Sequence, residues 1–246
     1  DEMIRGWGLG SIPAGLAYVS ILLLASQLLD LPLDLYDTFV IEERHGFNRQ
    51  TLRGFVLDRA KGAGLMVALG GPVLAAVLWI MERMGPTWWL WAWGVTTAFS
   101  VFAAWIFPTV LAPLFNKFTP LEPGELRQRI EALLRKCGFS SRGIFVMDGS
   151  RRSSHGNAYF TGFGSNKRIV FFDTLLDGLE ADEVEAVLAH ELGHFKRRHV
   201  LKMLVISSLM SLLGLAVLGW LAQQVWFYSE LGVTRSSPAM ALALFL

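Results

Sequence analysis

The sequence predicts a mostly α, multi-pass transmembrane protein that carries a small α+β region on one side of the bilayer. Three observations lead there. Of 246 residues, 53% are hydrophobic and only 17% charged, and the mean hydropathy is +0.43, outside the range of ordinary soluble domains. Four runs, 6–29, 62–81, 84–116 and 203–229, contain no Asp, Glu, Lys or Arg, and about 20 apolar residues suffice for a helix to cross the hydrocarbon core. The longest polar stretch, 117–199, mixes helical and strand patterns. These features divide the chain into transmembrane helices with a cytosolic loop at 30–61 (1–116), a cytosolic region (117–199), and a further span with the start of another (200–246).

Composition also excludes. A net charge of +1 and a pI near 8.1 give no strong field, and no basic stripe interleaves with aromatics, so nucleic acid is not an expected partner. The single cysteine, Cys137, cannot form an internal disulfide or a cysteine cage for zinc. Histidine and carboxylate are left as metal ligands.

The first run, 6–29, is too long for a cleaved leader and has no basic region before it beyond Arg5. The chain begins without Met, and a fifth apolar run from Ser236 reaches its last residue. The expectation is a piece of a longer protein. If four spans alternate, 30–61 and 109–199 share a side, and together they hold 18 of the 22 Lys and Arg. The positive-inside rule makes that side cytoplasmic. On the far side Trp88, Trp89, Trp91 and Trp93 open the third span, where aromatic anchors sit at the membrane interface.

Within the polar stretch, Pro120 to Gly124 reads as a turn-rich entry. Residues 125–136 (ELRQRIEALLRK) then place Leu126, Ile130, Leu133 and Leu134 on one helical stripe. Residues 143–147 (GIFVM) have strand composition. Residues 158–163 and 168–172 read as a hairpin joined by the four residues 164–167.

Next comes VLAHELGHFKRRHV, 187–200. Glu180, Asp182, Glu183 and Glu185 suit a helix N-terminus, and Lys196, Arg197 and Arg198 suit its later turns. Val184, Val187, Leu188 and Leu192 form its apolar face. His190 and His194, four apart, share a face and can both reach one Zn2+ about 2.0 Å away. Glu191 beside them can hold and deprotonate a bound water. Such a pattern also arises by chance on charged helices; a Glu at the right place, on a capped helix beside strands, argues against chance here. His199 follows His190 by nine residues, and at about 100° per residue a continuing helix turns it to the opposite side. No Gly interrupts FKRRH, as the metzincin pattern would need. His199 is therefore not expected as a ligand, and His45 and His155 are expected to be structural. Catalytic zinc sites use three protein ligands. The only carboxylate after Glu191 is Glu230, beyond the fourth span, so the third ligand is expected outside these residues.

Five stretches together resemble the integral-membrane CAAX prenyl proteases, zinc endopeptidases of the gluzincin type: ERHGFNRQT (43–51), PLFNKFTPL (113–121), DGSRRSSHGNAYFTGFG (148–164), KRIVFFDTLL (167–176) and AVLAHELGHFKRRH (186–199). The resemblance covers nearly the whole chain, in order. It implies a multi-pass transmembrane helical barrel around a large chamber, with a small cytosolic α+β zinc-protease region. It further implies Zn2+ on His190 and His194, Glu191 as catalytic base, and protein or peptide substrates with prenylated CAAX C-termini, handled beside the lipid bilayer. A strand beginning at Asn157, Ala158 and Tyr159 would offer its edge to an extended substrate, as free strand edges can. A protease that clears misfolded membrane proteins remains an alternative. So does a membrane scaffold or chaperone whose HELGH no longer catalyses.

Overall fold

A computed structural model describes residues 6–139, 141–162, 167–230 and 241–242. Among the described residues four helices are long and apolar enough to cross a membrane: α1 (Ser11–Glu42), α2 (Leu52–Arg83), α3 (Gly85–Phe115) and α7 (His199–Leu221). Each contains most of one uncharged run. The first two also extend well past theirs, α1 through Asp30, Asp34 and Asp37, and α2 starting ahead of Asp58, Arg59 and Lys61. A charge bars a residue from hydrocarbon but leaves its backbone hydrogen bonds intact, so the helix continues into water. The segment 30–61 is therefore largely helical, with a short connection between α1 and α2. The fifth run lies outside the described residues except for Ala241 and Leu242, as do Arg5, Arg235, the last residue of the expected strand 158–163 and residues 164–166 of the expected turn.

The helices widen into π turns at Asp37–Glu42, Met66–Gly70 and Phe107–Leu111. The last contains Pro108 and the second leads into Pro72, residues that cannot donate to the ladder and that crowd the preceding turn. In α3 the Ala112 N–H bonds the Phe107 carbonyl, and Pro113 has no N–H to offer Pro108. The Arg168 guanidinium takes that carbonyl at 3.0 Å.

The chain forms two compact units. One comprises the described residues of Asp1–Asp34, Gly62–Ser100 and Leu204–Leu246. Its core joins Val77, Leu78 and Ile80 of α2 to Trp88 and Ala92 of α3 and Leu218 of α7. The tryptophans expected as interface anchors divide here. Trp88 is buried, Trp93 donates its indole N–H to the Ser208 carbonyl at 2.9 Å, and Trp91 is exposed. Gly219 admits Trp89 so closely that a Cβ there would lie 2.9 Å from the indole.

The other unit comprises Leu35–Lys61 and Val101–Met203. It contains a four-stranded sheet of order β1-β2-β4-β3, with β1 Phe118–Pro120, β2 Ile144–Met147, β3 Ala158–Thr161 and β4 Arg168–Phe172. β2 and β4 are parallel, while β1 and β3 run antiparallel along the two outer sides. The hairpin of β3 and β4 and the strand at 144–147 follow the sequence pattern. β1 escapes the sequence reading because it is three residues long and its last residue, Pro120, opens the stretch that reads as a turn; a proline there is tolerated only on an edge strand. Helices α4 (Glu125–Lys136), α5 (Asp173–Gly178) and α6 (Ala181–Lys196) complete this part, and α8 (Val225–Glu230) follows α7. Ile130 and Leu134 of α4, Ile169 and Phe171 of β4, and Val184, Leu188 and Leu192 of α6 form one buried cluster. The stripe read along 125–136 is thus the face that joins α4 to α6 and the sheet.

Candidate active site

Helix α6 is fixed at its start by local chemistry. The Glu180 N–H donates to the Glu183 carboxylate at 2.9 Å, satisfying a donor that the first turn leaves free. Arg129 of α4 donates to Glu185 at 2.9 Å and pairs with Asp182, and these hydrogen bonds, Glu185 first, hold its guanidinium above the usual range. Both carboxylates lie near the positive end of the helix dipole. Val184, Leu188 and Leu192 turn into the core, which leaves His190 and His194 on the exposed side and Glu191 half-buried between them.

The two histidines meet. His190 Nε2 and His194 Nε2 are 3.2 Å apart, with ring centroids at 4.9 Å. Two nitrogens bound tetrahedrally to one zinc at about 2.0–2.1 Å stand roughly 3.3 Å apart, so the pair has the spacing of two ligands on one ion. Among the described residues no group of three His, Cys, Asp or Glu side chains could hold a metal.

The end of α6 departs from the sequence reading. The helix does not continue to His199: it stops at Lys196, Arg198 takes φ 53°, and α7 starts afresh at His199. The expected opposite face therefore never arises. Instead His199 Nδ1 lies 2.8 Å from His194 Nδ1. Nothing in FKRRH announces the break, since it has neither Gly nor Pro and Arg rarely adopts positive φ.

Helix α6 also packs against β3. Phe195, next to His194, meets Phe139 edge-on at 4.6 Å, and the Lys167 ammonium stands over its ring at 4.5 Å; Phe160 of β3 joins this group, 4.9 Å from Phe139. β3 is the last strand of the sheet, so one of its sides meets no other strand among the described residues. The Asn157 carbonyl accepts the Phe172 N–H at 2.9 Å, which sets the alternation along the ladder. The backbone of Tyr159 accordingly faces β4, and that of Ala158 and Phe160 faces outward. The Ala158 N–H is taken by the Asn157 side chain at 2.8 Å, and the Ala158 carbonyl and both groups of Phe160 meet no strand among the described residues. Phe160 escapes the sequence reading because residue type does not tell which backbone groups a ladder uses. Burial pushes the Tyr159 phenol above its ordinary range, so it stays protonated beside Met147 and Phe172.

His45 and His155 lie elsewhere. His45 Nδ1 stands 2.8 Å from the Ile41 carbonyl, and His155 stacks on Phe47 at 4.2 Å. The ERHGFN loop is stitched to the segment after β2, through Arg49 N–H to the Arg152 carbonyl at 3.0 Å and Ser154 N–H to the Phe47 carbonyl at 2.9 Å.

Comparison with known proteins accounts for both halves. Residues 1–117 match the model of the CAAX prenyl protease N-terminal region, five membrane helices, and residues 120–245 match peptidase family M48. The chain belongs to peptidase family M48. The CAAX prenyl protease 1 homologue of Oryza sativa is 47% identical over 80% of this chain and 47% of its own length. CAAX prenyl protease 1 of Saccharomyces cerevisiae is 42% identical over 93% of this chain and 51% of its own. The crystal structure of S. mikatae Ste24p superposes with a TM-score of 0.89 at 37% identity, covering 96% of this chain and 59% of that one. The chain spans about half the length of the curated relatives it matches. With its membrane-spanning helices, this M48 member is an integral membrane protein of mostly helical fold with a small sheet.

Proposed function

We propose that this M48 chain carries the catalytic helix of a membrane-embedded zinc metalloendopeptidase that cleaves peptide bonds close to the bilayer, with prenylated CAAX-type C-termini as the substrate class its relatives' names suggest. The observation that carries the reading is the 3.2 Å approach of His190 and His194 Nε2 with Glu191 beside them on one helix. In this reading the two histidines hold Zn2+, which when bound would lower the pKa of a water to about 7. Glu191 takes that water's proton and delivers it to the leaving amine. An extended peptide adds to the outer side of β3 along Asn157, Ala158, Tyr159 and Phe160, through main-chain hydrogen bonds to the Ala158 carbonyl and to Phe160 that do not depend on its sequence. The basic residues concentrated in 30–61 and 109–199 favour a cytoplasmic catalytic side. Residues 117–199 then serve as the protease region between the membrane-spanning parts 1–116 and 200–246.

Glu191→Gln tests this. Cleavage of a farnesylated CAAX peptide is expected to slow by about 10²- to 10⁴-fold, with zinc content unchanged by metal analysis. Unimpaired cleavage by this variant would remove Glu191 from the chemistry. Faster turnover of an unfolded membrane protein than of the CAAX peptide would move the substrate to quality control.

A further inference from the structure

We infer that His199 is a positioning residue for the metal site: its ring accepts the Nδ1 proton of His194 and so holds His194 with Nε2 free for the ion. The inference rests on the zinc reading above and deepens it.

The argument is one of proton count. His194 uses both ring nitrogens, Nε2 toward His190 at 3.2 Å and Nδ1 toward His199 at 2.8 Å. A neutral imidazole carries one proton. To bind a metal through Nε2, His194 must carry it on Nδ1, so the Nδ1–H donates to His199. His199 Nδ1 must then present a lone pair, which places its own proton on Nε2. The contact therefore selects one tautomer on each ring. Metal-bound histidines ordinarily give their second N–H to a carboxylate, carbonyl or water, a contact that fixes the ring and strengthens the ligand; here another histidine fills that role.

The backbone is bent to allow it. A regular helix from Ala181 onward would carry His199 away from His194. The chain instead ends α6 at Lys196, turns through Arg198 at φ 53° and restarts at His199. A non-glycine residue in the left-handed region has a conformational cost, and the new helix begins on the residue that meets His194. The two rings stand nearly perpendicular, at 82° with centroids 4.8 Å apart, an edge-on approach that aims nitrogen at nitrogen instead of stacking the faces.

The test uses the complete polypeptide in detergent with zinc as probe. Two variants separate hydrogen bonding from bulk: His199→Phe fills the space and accepts nothing, and His199→Asn restores a short acceptor. Zinc affinity from competition with a chelating dye is expected to fall about 10- to 100-fold in His199→Phe and to recover at least partly in His199→Asn. The visible spectrum of the cobalt-substituted protein should shift in the Phe variant and return toward wild type in the Asn variant. Equal zinc affinity in wild type and His199→Phe overturns the inference while leaving the zinc site intact. So does an equal loss in both variants together with reduced thermal stability in excess chelator, which would make His199 a packing residue. A wild-type protein that binds no zinc removes the protease reading and this one together.

Discussion

The cluster around Leu188 and the outer surface of α7 are both built of apolar residues, yet they are apolar for different reasons. In the first, Ile130, Ile169, Phe171 and Leu188 are fully enclosed by other side chains of the same unit. In the second, Leu209, Met210, Leu213 and Trp220 stand more than half exposed, and only 11% of the most apolar window of α7 is buried. Enclosed side chains are held by shape and density. Exposed ones on a membrane span need only suit the surrounding hydrocarbon, which is itself as apolar as leucine. Helix α6 belongs to the first kind on one face and presents its histidines on the other. Its histidines are thus referenced to a rigid core, and the lipid-facing helices do not have to supply that precision.

Truncating one leucine in each region is the sharpest way to break this comparison. Leu188→Ala empties a site with no exposure and is expected to cost about 2–5 kcal/mol of unfolding free energy, measured by chemical denaturation in detergent. Leu213→Ala, 57% exposed, should change it by no more than about 0.5 kcal/mol. Comparable losses at both sites would mean that the α7 surface is packed by protein and that the distinction is wrong.

The two kinds of region were also legible to different degrees. The spans announce themselves by what they lack, and all four uncharged runs are helices of crossing length. The 125–136 helix was readable to its ends, because its stripe and the Gly124 before it are both local signals. α6 was readable at its start for the same reason, through the acidic residues of its first turn. Its end was not. Lys, Arg and Arg suit the last turn of a helix and equally well its continuation, and the φ of Arg198 is decided by where α7 must begin. β1 failed for a related cause: Phe118–Pro120 becomes a strand only because β2 lies beside it, pairing Thr119 with Val146. Whatever depends on how later structure places the chain was invisible, and the meeting of His194 with His199, only five residues apart, belongs to that class because it hangs on where α7 begins.

A smaller effect is expected at Arg152, where the polar region is held by hydrogen bonds more than by enclosure. Its guanidinium donates to the Asp58 carboxylate at 2.8 Å, to the Phe115 carbonyl at 2.7 Å and to the Asn116 side chain. It thereby ties the early part of α2 and the end of α3 to the segment after β2. Arg152→Met keeps the aliphatic stem and deprives three acceptors, at a cost of about 1–3 kcal/mol in the same denaturation experiment. Among the described residues Asp58 then keeps the longer hydrogen bond from Gln50 at 3.3 Å. Adding Asp58→Asn should therefore recover part of the loss, since a neutral amide tolerates a missing cation. If the double variant is simply worse by the sum of both, the pair does not act as a unit.

The smallest effect sharpens the comparison through pH, because the runs 84–116 and 203–229 contain no carboxylate while the polar region depends on several. Asp173, at the start of α5, accepts from the Ser150 N–H at 2.8 Å, from the Ser150 hydroxyl and from the Thr174 N–H at 2.8 Å. Burial pushes its carboxyl up, but the hydrogen bonds from Ser150, Thr174 and Gly149 outweigh that and hold it below the ordinary range. A carboxyl lowered on folding stabilises the fold at every pH above its unfolded value, about 3.9, and the contribution disappears as pH falls through the folded value. Asp173→Asn should therefore melt below wild type at neutral pH. The gap should stay constant down to about pH 5 and close as the solution becomes more acidic than the ordinary carboxylate pKa. A gap that does not narrow at all as the solution becomes more acidic than the ordinary carboxylate range would show that the amide disturbs packing against the Gly149 turn, where Phe172 already leaves no room for a Cβ, and that the charge of Asp173 contributes nothing to the clamp.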